Sequence, residues 1–200
     1  RPLLTHGITA GYTVRDVAPD IPLLGNLGLV QAVQASTTEI ESLIEQSGLS
    51  ALCIHLNPAM EVVQPEGDED FRGGLKCLAR LVKDLSIPVV VKETGCGLSS
   101  HVGSLCKDLG IRSVDISGAG GTSWVAVETH RAIDHKRSLG EQFWDWGIPT
   151  AASVVQTAEQ GLEVCSTGGM RNGLMVAKAI AMGASCGGLA RVVLQAYADG

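Results

Sequence analysis

The run His55-Leu56-Asn57-Pro58, followed by Glu61 and by Gln64-Pro65-Glu66-Gly67-Asp68, places an imidazole, two amides and three carboxylates within fourteen residues. Together such groups can bind an anion, hold Mg²⁺ and move protons. They follow the apolar stretch 49–54. A polar cluster just past a buried strand is where an α/β barrel keeps its chemistry. His55 and Asn57 alternate at the strand end, so both are expected on one side, able to donate to a diphosphate oxygen. Glu61, Glu66 and Asp68 are candidate oxygen ligands for Mg²⁺, which takes one or two carboxylates and completes its shell with waters and phosphates. The neighbouring Asp68, Glu69 and Asp70 read more simply as a solvated acidic loop.

Four further groups join this cluster. Ser166-Thr167-Gly168-Gly169-Met170-Arg171-Asn172-Gly173 sets two glycines between a strand and a helix, with unobstructed amides for an anion. Gly187-Gly188-Leu189-Ala190-Arg191 repeats the arrangement about twenty residues on. Paired loops after the last two strands of a barrel often bind phosphate. Lys92 ends the buried run 89–91, where a cation needs a partner. It is either a rim lysine paired with Glu93 or a fixed charge beside a ring that becomes anionic on reduction. Ser117-Gly118-Ala119-Gly120-Gly121-Thr122 lets the backbone approach a flat ligand closely.

The elements that would position these residues follow from apolar runs and glycine stops. Strands are expected at 21–26, 51–55, 88–92, 112–117, 162–167 and 185–189. Helices are expected from Thr38 to near Gly48, over 74–85 and 99–109, over 150–160 with Ser153 as a possible cap, and over 172–182. The mixed segment 125–147 reads as a lid, or as a loop plus helix. Brief apolar strands alternating with helices, each strand followed by polar or glycine residues, fit a closed (β/α)₈ TIM barrel. This chain would hold about its last six strands, with two more expected before Arg1. A doubly wound open sheet is the alternative, with its site at one switch point. No internal linker is visible, so residues 1–200 read as a single domain.

Composition narrows the function. The 200 residues are 45% hydrophobic with a net charge of −6 and no Lys/Arg run, which argues against nucleic-acid binding. No segment approaches the ~20 apolar residues of a membrane span. The six cysteines include no C-x-x-C pair and lie mostly in apolar runs, as expected of reduced, buried thiols in the cytoplasm. Cys96, between two glycines, is the thiol that could face a pocket, although a packing role is the simpler reading.

Taken together, these motifs resemble the type 2 isopentenyl-diphosphate isomerases, FMN-binding barrels. The resemblance runs over nearly the whole chain and includes 20–28, His55-Leu56-Asn57-Pro58, 64–68, Val91-Lys92-Glu93, Gly120-Gly121-Thr122, 146–151 and 168–173. It implies FMN, with its phosphate on Gly168, Gly169, Arg171, Ala190 and Arg191, and with Asn26, Lys92, Ser117 and Thr122 along the rest of the cofactor. It implies Mg²⁺ on Glu61, substrate contacts from His55, Asn57 and the residue at position 60, and catalytic roles for Lys92 and His55. It further implies NADPH as flavin reductant, a prenyl diphosphate substrate in isoprenoid biosynthesis, and a homo-oligomer. The reaction expected is interconversion of isopentenyl and dimethylallyl diphosphate by reduced-flavin acid–base chemistry.

The chain departs from the family pattern in two places. The family motif reads His-x-Asn-x-x-Gln-Glu, and the Gln position here is Met60. A thioether cannot relay a proton as an amide network can. The family's N-terminal segments, with their diphosphate-gripping basic residues, are also not found in these residues. One rival reading is therefore a flavin- or prenyl-diphosphate-binding paralogue with lost or altered activity. Another FMN oxidoreductase, such as a hydroxy-acid oxidase, would need a His after the strand ending in Ser117-Gly118. The first to follow is His130.

Overall fold

A computed structural model describes residues 14–200. Its centre is one parallel six-stranded sheet whose spatial order is the sequence order. The strands are β1 Leu24–Gly28, β2 Ala51–His55, β3 Val89–Lys92, β4 Ser113–Asp115, β5 Glu163–Ser166 and β6 Cys186–Gly187. Helices α1 Leu29–Gln34 and α2 Thr37–Ser47 follow β1, α3 Pro58–Val63 and α4 Gly74–Asp84 follow β2, and α5 Ser100–Asp108 follows β3. Three helices follow β4: α6 Trp124–Arg131, α7 Asp134–Gln142 and α8 Thr150–Ala158. Helix α9 Gly173–Ala181 follows β5, and α10 Arg191–Asp199 follows β6. A doubly wound sheet reverses its strand order at a switch point. Here the order never reverses, so the architecture is that of a (β/α)₈ barrel, of which these residues form a six-strand arc.

Alternation along the strands sorts the side chains. Leu27, Leu52, Ile54, Val89, Val91, Val114 and Val164 point to the helices and join one core with Ile40, Leu78, Leu81 and Val154. The opposite face lines the barrel interior, with Ala51, Cys53 and Val90 packed deep within it. Register pairs His55 with Lys92, Lys92 with Asp115, and Asp115 with Cys165. The polar strand ends therefore stand in one inward row.

Local chemistry shifts several boundaries. Ser36 and Glu39 form a capping box, so α2 starts at Thr37 rather than Thr38, and it stops at Gly48 with φ 60°. Pro22 has no N–H for a ladder, and β1 begins at Leu24 rather than at 21. The last strand shrinks to two residues because Gly188 already belongs to the following loop. Ser153 is not a cap: it lies inside α8, where its Oγ accepts from Leu98 N and donates to Leu98 O, both at 2.8 Å. The segment 125–147 contains the pair α6–α7. Cys53, Cys77 and Cys106 are buried, Cys96 and Cys165 half-buried, and Cys186 exposed, all as free thiols. Among the described residues no helix is long and apolar enough to cross a membrane.

Candidate functional site

A cleft of about 450 Å³ opens at the carboxyl ends of β4, β5 and β6. That volume lies within the range of small-molecule sites. Ser117, Thr122, Gly168, Gly169, Arg171, Ala190 and Arg191 all line it. Its walls are interlocked loops. Gly118 N donates to Thr167 O at 3.1 Å, and Thr150 Oγ1 donates to Gly168 O at 2.7 Å. Gly168 has φ +99°, and a Cβ there would strike the Gly118 backbone. Gly169, at φ +85°, is packed in the same way against Gly120. Arg171 and Arg191 are exposed and form no ion pair among the described residues. Glycine amides, these two guanidiniums and the start of α10 at Arg191 are groups that suit an anion. The helix terminus belongs to α10 rather than α9, because the Asn172 side chain already caps Met175 N at 3.0 Å. This donor set fits the phosphate of FMN, and the glycine wall 118–121 fits a flat ring.

Asn26, His55 and Lys92 do not line that cleft. They stand in the adjoining inward row. His55 Nδ1 donates to Asn26 Oδ1 at 3.1 Å. Burial, reinforced by the nearby Lys92 ammonium, holds the imidazole well below its usual range, at about 4. The ring is therefore neutral near pH 7, with Nε2 as an acceptor, and it must take up a proton before it can donate to a diphosphate oxygen. The Lys92–Glu93 carboxylate pairing, one of the two readings of that lysine, is not formed. Lys92 Nζ donates instead to the Glu93 backbone O at 2.7 Å, because the Glu93 side chain turns the other way.

Asn57 does not continue the strand beside His55. It is the N-cap of α3, buried, in the left-handed region at φ 53°. Its Nδ2 donates to Glu61 Oε1 at 3.3 Å. Pro58 at the first helical position turns the polar run into a helix, so half-buried Met60 and Glu61 ride on α3. Glu61 Oε2 accepts from Asp68 N at 2.8 Å. No group of three or more metal-binding side chains gathers among the described residues. The Glu61 carboxylate fits Mg²⁺ only in the mode where substrate phosphate and water complete the shell. The acidic loop is less solvated than expected. Gln31 bonds Asp68, Lys136 bonds Glu69, and Arg131 joins Glu66 at 3.2 Å to Glu128. Through these contacts α6 and α7 clamp the segment after α3.

Sequence reasoning missed two carboxylates here. Glu93 is 4% exposed and accepts from Thr94 N at 2.5 Å and Cys96 N at 3.3 Å. Burial raises its pKa, opposed by these amides and by that of Asn57. It thus holds the turn after β3 together, close to the α3 cap. Asp115 lies in the inward row and lines the cleft. The only available signal for either was a carboxylate at or just past a strand end. His130, the first histidine after Ser117-Gly118, lies on α6 and packs edge-on against Trp144.

The family model described as FMN-dependent dehydrogenase matches residues 71–200, and the chain belongs to that family. Within it, the chain is similar to curated proteins named isopentenyl-diphosphate delta-isomerase. That of Pyrococcus horikoshii is 47% identical over 94% of this chain and 53% of its own length. That of Synechococcus sp. is 49% identical over 94% and 55%, and that of Methanothermobacter thermautotrophicus 45% over 94% and 53%. The resemblance read from the motifs therefore extends along nearly the whole chain. The chain spans about half the length of these relatives. Among solved structures, the GMP reductase C318A of Trypanosoma brucei superposes with a TM-score of 0.52 at 18% identity, covering 83% of this chain and 31% of that one. That likeness concerns the fold.

Proposed function

We propose that this chain carries the FMN site of an isomerase that interconverts isopentenyl and dimethylallyl diphosphate. The observation that supports this most is the cleft: two glycine loops and two arginines with no ion pair among the described residues lie beside an inward row of Asn26, His55 and Lys92. The relatives named for the reaction agree with it. Reduced FMN, when bound, would supply acid–base chemistry at the allylic carbons, with NADPH as its reductant. Gly168, Gly169, Arg171, Ala190 and Arg191 hold the phosphate, while Ser117, Thr122, Asn26 and Lys92 line the rest. Lys92 places a fixed positive charge beside the ring.

The substrate side falls to α3 and its cap. His55, protonated as the diphosphate arrives, and the Asn57 amide bind oxygens. Glu61 holds Mg²⁺ against the same group. Met60 stands where the family pattern has an amide, so it can pack against the alkene but cannot relay a proton. Residues 1–200 act as a single FMN-binding barrel domain of a cytoplasmic homo-oligomer in isoprenoid biosynthesis.

The test uses the full-length protein. Flavin absorbance after purification, and isopentenyl diphosphate turnover under anaerobic reducing conditions, are the expected results. Absence of flavin binding overturns the reading. Flavin without turnover, restored by Met60→Gln, identifies instead a paralogue that lost the activity at this position.

A further inference from the structure

Asp115 ends β4 with its side chain in the inward row and in the wall of the cleft. Its two oxygens are used unequally. Oδ1 accepts from Ser117 N at 3.1 Å and also from the Thr167 hydroxyl. It thereby joins the turn at Ser117, where φ is +34°, to the start of the Gly168-Gly169 loop. Among the described residues Oδ2 has no hydrogen-bond partner, and it is not sealed in the core, since the buried unpartnered side-chain atom there is Ser166 Oγ. Nor does Lys92, its register neighbour, take it. The ammonium donates to Glu93 O, and the two side chains form no ion pair. One cleft thus has a cationic, amide-rich end at Arg171 and Arg191 and a carboxylate oxygen in its wall. A carboxylate repels an anion and accepts only from a donor. The ligand portion beside Asp115 is therefore not the phosphate.

We propose that Asp115 is a cofactor-binding residue whose Oδ2 accepts a hydrogen bond from a hydroxyl of the flavin's polyol chain, while Oδ1 holds the loops on either side. The assignment rests on the FMN reading of the cleft. It gives the site a direction: phosphate toward the glycine loops and arginines, polyol across Asp115, ring toward Lys92.

Titrations of full-length apoprotein, followed by flavin fluorescence, test it with FMN, riboflavin and lumiflavin, the last having the ring without the polyol. In Asp115→Asn the amide oxygen still accepts from Ser117 and Thr167, but the charge is gone. Hydrogen bonds to charged groups are the stronger class, so affinity for FMN and riboflavin should fall by the same factor, roughly tenfold or more. Lumiflavin affinity should not change. Asp115→Ser, which keeps an oxygen acceptor, carries the same expectation if the amide variant does not fold. Equal loss for all three flavins would mean that Asp115 acts only through the loops, and no loss for any would mean that it touches no ligand. Either result overturns the assignment while wild-type flavin binding leaves the FMN reading standing. A wild type that binds none of the three overturns both.

Discussion

His55 shows how far one side chain's surroundings set its chemistry. Its folded pKa of about 4 lies below the ordinary 6.5. Between those values the unfolded chain binds more protons, so the stability tied to a neutral His55 is full above pH 6.5 and lost as pH falls toward 4. The difference is at most about 3 kcal/mol. Urea midpoints measured across this window should fall more steeply for wild type than for His55→Gln; parallel profiles would contradict the desolvation argument. Met60 is the second residue of interest. If the family's amide position contributes to proton handling, Met60→Gln should raise turnover of isopentenyl diphosphate by about tenfold or more, visible in kcat rather than KM. An unchanged kcat would mean that this position is only a packing site.

At the level of elements, the site is held by joints between loops. Ser153 of α8 satisfies both Leu98 N and Leu98 O, fixing the loop after β3 to the helix before β5. Ser153→Ala leaves both groups buried and unpaired, and a loss of about 2 kcal/mol is expected in thermal or urea unfolding. The glycines offer a contrast. Gly168→Ala combines φ +99° with a collision against Gly118, and should cost about 3 kcal/mol and weaken flavin binding. Gly173→Ala at the start of α9 meets nothing within 4 Å and should be neutral or mildly stabilising. These joints explain which parts could be read in advance. The strands at 51–55 and 88–92 were legible because they are continuously apolar, and the phosphate loops because each carries paired glycines. Helix α3 is only six residues long and sits inside the polar cluster 55–68, with Pro58 as its sign. The directions of Glu93 and Asp115 were not legible, since a sequence shows a carboxylate but not which amides turn toward it. The αL turn at Asn57 likewise arises from the α3 cap rather than from strand alternation.

At the scale of the whole molecule, apolar side chains are exposed near both ends of the arc. Ile21 precedes β1 and Leu24 begins it, and Ile180, Val193, Leu194 and Tyr197 (the last 86% exposed) lie on the helices around β6. Parallel edges that no described strand pairs, beside apolar helices, invite pairing with other chains. Residues 1–200 expressed alone should therefore self-associate at micromolar concentration by light scattering. A monodisperse monomer would show that the edges are covered by something else. The strand order carries a consequence for synthesis. Because every described strand after β1 pairs with its immediate predecessor, each βα unit can dock on the one already made as the chain leaves the ribosome. The two glycine loops of the cleft follow β5 and β6, the last two strands of the described residues. Along these residues a nascent chain thus lays down its first four strands before the two glycine loops that complete the cleft can form.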